Sequence, residues 1–129
     1  MLTLFTSSLR TYAGRDRLDI TRATGTFPGI AFAPSREILI PLLQARRTAQ
    51  SDAVLWTQYT EDYLREMAVS RREHPAAWHN VLSRETVTLC CYCKNPLYCH
   101  RSLLGQLLQS QGEAVFRGER AHSYGEGDP

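Results

Sequence analysis

Lysine is almost missing from this chain. Of its 15 Lys and Arg residues only Lys94 is lysine. The net charge is +2 at pH 7, too balanced for bulk, salt-driven binding to nucleic acid. Arginine still suits planar, bidentate capture of phosphate or carboxylate, so a local anion site remains open. No apolar run approaches the length of a membrane span. The opening Met1-Leu2-Thr3-Leu4-Phe5-Thr6 lacks the basic flank and long apolar core of a signal peptide and reads as a first strand. There is no internal repeat and no low-complexity tract. Cysteine is scarce too, with 4 in 129 residues, all between positions 90 and 99. Cysteines crowded into one loop make a poor disulfide framework. Together these absences predict a cytoplasmic chain with reduced thiols.

What remains is a single α/β domain over residues 1–117, with 118–129 predicted to be a flexible tail rich in Gly, Glu, His, Asp and Pro. Leu2 to Thr6 predicts a strand, followed by a polar loop from Ser7 to Asp16. Leu18 to Arg22 is ordered but of undetermined type, and Ala23 to Gly29 is loop. Ile30 to Ala33 predicts a second short strand, stopped by Pro34. Ser35 is placed to cap a helix, Pro41 predicts a break or kink in it, and Pro41 to Gln50 continues it. Leu55, Tyr59, Tyr63 and Met67 recur every four residues and predict an amphipathic helix. A further helix covers Pro75 to Leu82. Thr86 to Cys91 is the clearest strand, with Val87, Leu89 and Cys91 on one face and Thr86, Thr88 and Cys90 on the other. Ser102 to Gln111 is the clearest helix, ended by Gly112, and Ala114 to Phe116 closes the pattern as a strand. The expected architecture is a small three-layer sandwich with a mostly parallel, Rossmann-like sheet.

The chemistry concentrates in Cys90-Cys91-Tyr92-Cys93-Lys94-Asn95-Pro96-Leu97-Tyr98-Cys99-His100-Arg101. A strand running into a short loop and a helix start is where parallel sheets put ligands, because the first helical N–H groups lack internal partners. Ser8, Arg10 and Tyr12 leave a strand at the same edge. They are expected to face Cys99, His100 and Arg101 across one pocket, if their strands are neighbours. In that pocket Cys99 would be the thiolate, His100 the proton donor or acceptor, and Arg101 the anion clamp, with Cys91 and Ser102 as further ligand contacts. Cys91, Cys93, Cys99 and His100 could instead hold zinc. One residue between Cys91 and Cys93, and none between Cys99 and His100, departs from the usual two-residue spacing; an extended backbone would nonetheless put Cys91 and Cys93 on one face. No cysteine has an arginine at the spacing of a tyrosine-phosphatase loop. A relay of Ser8, His100 and Asp19 can be drawn, as it can in almost any chain. Trp56, Tyr59, Tyr63 and Trp78 are core residues first and base-stacking residues second. His74, His79 and His122 read as surface residues.

The run Val87-Thr88-Leu89-Cys90-Cys91-Tyr92-Cys93, through Pro96 to Cys99-His100-Arg101-Ser102-Leu103-Leu104, resembles the bacterial and phage family catalogued as domain of unknown function 488. Thr6-Ser7-Ser8-Leu9-Arg10, Ala31-Phe32-Ala33-Pro34-Ser35 and Phe116-Arg117-Gly118-Glu119 are similar to a short branch of it. The resemblance implies a compact α/β fold with a pocket at the cysteine loop, and carries no agreed activity. Many members have Glu at the position of Cys93, which argues against chemistry, or a metal site, that requires a thiol there.

Three functions follow as expectations. The first is binding and processing of a phosphate-bearing small molecule such as a nucleotide, with no cofactor. The second is a non-enzymatic ligand-sequestering or partner-binding protein of phage or mobile-element origin. The third is a zinc-stabilised module associated with nucleic acid.

Overall fold

The computed structural model describes residues 1–47, 53–95 and 98–120. Four strands and four α-helices follow in the order β1 (Leu2–Ser8), β2 (Arg17–Asp19), α1 (Arg36–Arg47), α2 (Ala53–Glu73), α3 (Pro75–Leu82), β3 (Thr86–Cys91), α4 (His100–Ser110) and β4 (Ala114–Glu119). A 3₁₀ turn, Gly29–Phe32, lies between β2 and α1. The sheet runs β2-β3-β1-β4 and every pairing is parallel. This is an α/β, Rossmann-like sandwich, as expected.

Register fixes the two faces. Leu4 pairs with Val87 and Phe116, Thr6 with Leu89, and Ser8 with Cys91. These residues look toward the helices, where Leu2, Leu4, Leu18, Val87 and Leu89 join Tyr63, Met67, Trp78, Leu104 and Leu108 in one core. Strand period two sends Cys90 to the opposite face. There it packs with Leu9 and Tyr12 from the loop after β1.

Four expectations are corrected. Ile30 to Ala33 is not a strand: Gly29 lies so close to the Asp19 carbonyl that a Cβ would sit 2.0 Å from its oxygen. The segment curls there, with Ile30 N–H donating to Thr26 O, and buries Phe32 against Trp78. A four-residue apolar run does not by itself distinguish strand from turn. The helix does not break at Pro41, which lies inside α1. Pro41 is exposed, and so is Glu37 one turn before it, so water can satisfy the carbonyl that loses its partner. The continuation expected to Gln50 is described as far as Arg47; the remainder lies outside the described residues. Ser35 does not turn its hydroxyl to its own helix: both its hydroxyl and its N–H donate to the Glu66 carboxylate on α2. Finally, the chain stays in the sheet past residue 117. The β1–β4 register shifts between Leu4 and Thr6, and Gly118 takes φ +89°, a left-handed value that carries the bulge and returns Glu119 to Thr6. The rest of the expected tail, residues 121–129 with His122, lies outside the described residues.

Candidate functional site

The end of β3 and the start of α4 build the site, and the sequence explains why. Cys91 ends a strand whose helix-facing positions are all apolar, so its sulfur enters the core side. The chain bends at Tyr92 just after the strand, and Cys93, the next residue, brings its sulfur back to that of Cys91. Cys99 is the residue before α4, with φ −141° and ψ 147°, and from there its sulfur meets the other two. The Sγ atoms of Cys91, Cys93 and Cys99 all lie within 4.8 Å of one another. Cys91 and Cys99 are buried and Cys93 is half-buried; all four thiols are free.

Charged side chains surround this trio. Arg101 Nη1 donates to Cys91 Sγ at 3.0 Å and to the Cys93 carbonyl at 2.9 Å. Its Nε and Nη2 grip the Glu119 carboxylate at 3.1 and 2.9 Å. Arg46, in the last turn of α1, donates Nη1 to Cys93 Sγ at 3.6 Å and Nη2 to the Tyr98 carbonyl. His100 Nε2 lies 2.7 Å from the Ile20 carbonyl, and its Nδ1 lies 3.7 Å from Cys99 Sγ. A carbonyl only accepts, so Nε2 carries the proton and Nδ1 presents its lone pair to the thiol.

Proton affinities separate accordingly. Hydrogen bonds from the Cys91 and Cys99 thiols, and then from Arg46, hold Cys93 far below the ordinary thiol range despite its burial. Cys91, which gives its proton toward Cys93, is pushed up to about 11. Burial first, and then its bonds to the other two sulfurs, raise Cys99. Burial above all takes Cys90, on the far face, up to about 12, against the lowering pull of Arg17. Burial also lowers His100, which keeps the imidazole neutral against the pull of the Ile20 carbonyl.

The sequence-predicted residues divide between two hollows. Ser8, Arg10 and Arg101 do come together, with Ser7, Thr11, Cys93, Lys94, Glu119 and Arg120, around an open depression of about 400 Å³ at the carboxyl ends of β1 and β3. Cys91, Cys99 and His100 instead line a smaller, largely apolar hollow of about 190 Å³ beside Tyr59 and Leu42. Cys93 lines both. Tyr12 belongs to neither. It turns to the opposite sheet face, where its hydroxyl donates to Asp16 Oδ1 at 2.5 Å and accepts from Arg120 Nη1 at 2.8 Å. Ser102 is half-buried in the first turn of α4 and lines neither hollow.

Two expected roles therefore change. Arg101 is 1 % exposed and already bound by Glu119 and Cys91, so it holds the site together and is not a free anion clamp. Cys99, also 1 % exposed, is shielded, and the thiol that meets solvent is Cys93. The Ser8–His100–Asp19 relay does not form: His100 is held by Ile20, and Asp19 accepts from Thr21 and Thr24. Trp56, Tyr59 and Tyr63 stack on one another, and Tyr63 donates to the Phe32 carbonyl, as core residues do. His74 and His79 are exposed. Sequence reasoning missed Arg46, Glu119 and Arg120. The signal for the last two was present in the apolar alternation from Ala114 to Phe116, which continues to Glu119 once Gly118 is read as a bulge.

A protein-family model described as the active DUF488-N3 subclade (DUF488-N3a) matches residues 28–112. The chain belongs to that family. The match spans the whole Cys91–Arg101 loop, so the three-sulfur trio of this DUF488-N3 chain lies inside the family's own territory. Neither a curated protein nor a solved structure matches it significantly.

Proposed function

We propose that this chain binds a small phosphate-bearing molecule of the nucleotide class in the depression at the carboxyl ends of β1 and β3, and acts on it through Cys93. One observation carries the reading: two exposed cations from separate segments, Arg10 and Lys94, line the depression together with Ser8, Thr11 and the half-buried Cys93, while the Arg120 guanidinium is held by Asp16 and Tyr12 on the other face. Ligands of parallel sheets lie in the crevice beyond the strand ends. Guanidinium and ammonium groups suit phosphate oxygens. Cys93 lines both this depression and the neighbouring apolar hollow, so in this reading a ligand seated at the boundary would meet its sulfur. The family's description as active favours an enzyme over a sequestering protein of phage or mobile-element origin. A reaction that needs free thiols fits the cytoplasm. No helix among the described residues is long and apolar enough to cross a membrane.

Thermal-shift titration with inorganic phosphate and a panel of nucleoside mono-, di- and triphosphates, in chelator and reductant, tests the reading. At least one nucleotide should raise Tm in the wild type. Arg10→Ala with Lys94→Ala should weaken that response at least about tenfold in concentration, since each lost charge-assisted bond is worth about 1.5–3 kcal/mol. Arg10 and Lys94 are exposed, so the unliganded Tm should not move. Cys93→Ser should keep binding and lose turnover. A flat response across the panel overturns the proposal.

A further inference from the structure

We infer that Cys91, Cys93 and Cys99 form a three-thiolate site for a thiophilic d¹⁰ cation, either zinc or monovalent copper. This goes beyond the anion-binding reading: it does not depend on the anion site, and it competes with the proposed chemistry for the Cys93 sulfur.

Geometry comes first. Four-coordinate zinc holds sulfur at about 2.3 Å, which puts sulfur pairs about 3.8 Å apart. The three sulfurs here already lie within 4.8 Å of one another, so a small inward movement of side chains closes them on one ion. They come from three backbone situations: a strand end, the loop just past a bend, and the residue before a helix. That convergence removes the objection raised by the one-residue gap between Cys91 and Cys93. The neighbouring Cys90 shows what a cysteine in this segment does without such a role: its sulfur faces the other sheet surface and packs with Leu9 and Tyr12.

The charges around the trio fit as well. Three thiolates on a divalent ion leave one negative charge, and on a monovalent ion two. Arg101 donates an N–H to Cys91 Sγ and Arg46 donates one to Cys93 Sγ. Such outer hydrogen bonds orient ligating groups and offset their charge. A guanidinium buried against a neutral thiol would have a poor acceptor, whereas a metal-bound thiolate is a good one.

A nitrogen donor lies beside the trio: His100 Nδ1 is 3.7 Å from Cys99 Sγ, although it is not within 4.8 Å of all three sulfurs. A tetrahedral zinc ion separates its nitrogen and sulfur ligands by about 3.5 Å. His100 gives its other N–H to the Ile20 carbonyl, the outer bond that fixes the tautomer of a ligating histidine. His100 bears on the two cations differently. Zinc takes a fourth donor, from His100 after a small movement or from water, whereas monovalent copper is content with three thiolates. With either ion bound, the Cys93 sulfur is a ligand and no longer a free nucleophile, so metal and thiolate chemistry exclude each other at that atom.

The test uses the full chain, reduced and stripped of metal. Cobalt(II) should give sulfur-to-metal charge-transfer absorption of three-thiolate intensity, saturating at one ion per chain. Zinc should displace it. Monovalent copper should bind against a competing chelator with the same stoichiometry. Cys93→Ser, at a half-buried position, should weaken each ion at least about 100-fold with the metal-free Tm unchanged, and Cys90→Ser should weaken neither. His100→Gln should weaken zinc and spare copper if copper is the fitting ion; it should weaken both if the site is built on four donors. Absence of charge-transfer absorption in the wild type, or equal damage from Cys90→Ser and Cys93→Ser, overturns the inference. Loss of the nucleotide response with metal binding intact would instead overturn only the anion-binding reading.

Discussion

Arg101 heads the fully buried side chains of this chain by size. The motif Cys99-His100-Arg101 suggests a catalytic string, yet the helix that begins at His100 turns all three residues inward. Helical periodicity decides this: His100, Arg101, Leu104, Gly105 and Leu108 share the buried side of α4. Which helical face a charged residue takes is legible only when its partner is known, and the partner, Glu119, sits in a stretch that composition marks as a tail. Arg101→Ala should therefore act on stability and not on ligand affinity alone. It leaves Glu119, Cys91 and the Cys93 carbonyl without their donor, and breaking a buried pair costs about 3–5 kcal/mol. Since Glu119 is about one-third exposed (35 %), the lower end applies. Urea unfolding should show a fall of about 3 kcal/mol, and Arg101→Lys should recover less than half, since an ammonium cannot reproduce the planar fork. An unchanged midpoint in Arg101→Ala would return Arg101 to the role of a free anion clamp.

At the scale of elements, what the sequence shows best is what rests on period and length. The strand at Thr86–Cys91 and the helices at 53–73 and 75–82 are legible from apolar spacing, the latter with Pro75 at its start, whereas α4 begins at His100, two residues before the Ser102 that spacing suggests. The segments that misled are those whose conformation is set by a distant neighbour: Gly29 against the Asp19 carbonyl, and Ser35 drawn to Glu66. The turn after β2 is of the same kind. Asp19 Oδ1 accepts from the Thr21 N–H at 2.9 Å and the Thr21 hydroxyl at 2.7 Å, and Oδ2 from the Thr24 hydroxyl at 2.5 Å. Burial tends to raise the Asp19 pKa, but these bonds outweigh it and hold the carboxyl below its ordinary value. A depressed carboxylate stabilises the fold above its unfolded pKa, about 3.9, and that contribution is lost as pH falls through the folded value. Asp19→Asn should therefore be less stable than wild type at pH 6 by urea unfolding. The gap should narrow once pH drops below about 4, where wild type loses the same bonds. A gap that stays constant with pH would mean that Asp19 holds the turn by shape and not by charge.

For the molecule as a whole, the decisive boundary is the end of β4. The composition after Arg117 suggests a chain leaving the fold, whereas two residues there tie the sheet to the site. Glu119 receives Arg101 on one side and the Thr6 hydroxyl, at 2.7 Å, on the other. Arg120 donates its backbone N–H to the Thr6 carbonyl at 2.8 Å, lays its guanidinium 4.0 Å from the centre of the Phe5 ring, and bonds Tyr12 and Asp16 beneath the sheet. The helix face, where the sulfur trio lies, and the opposite face, closed by Tyr12, are thus latched by consecutive residues. Two shortened chains separate latch from tail. One ends at Arg120 and keeps both contacts; the other ends at Gly118 and leaves the buried Arg101 without its carboxylate. The loss should be about 3–5 kcal/mol for the stranded charge. At a few degrees per kcal/mol for a domain of this size, the shorter chain should melt on the order of 10 °C below the longer. Because Arg101 also positions Cys91, the chain ending at Gly118 should bind cobalt(II) more weakly even below its melting temperature. Equal melting temperatures and equal cobalt affinity in the two chains would show that the sheet holds the sulfur trio without this latch.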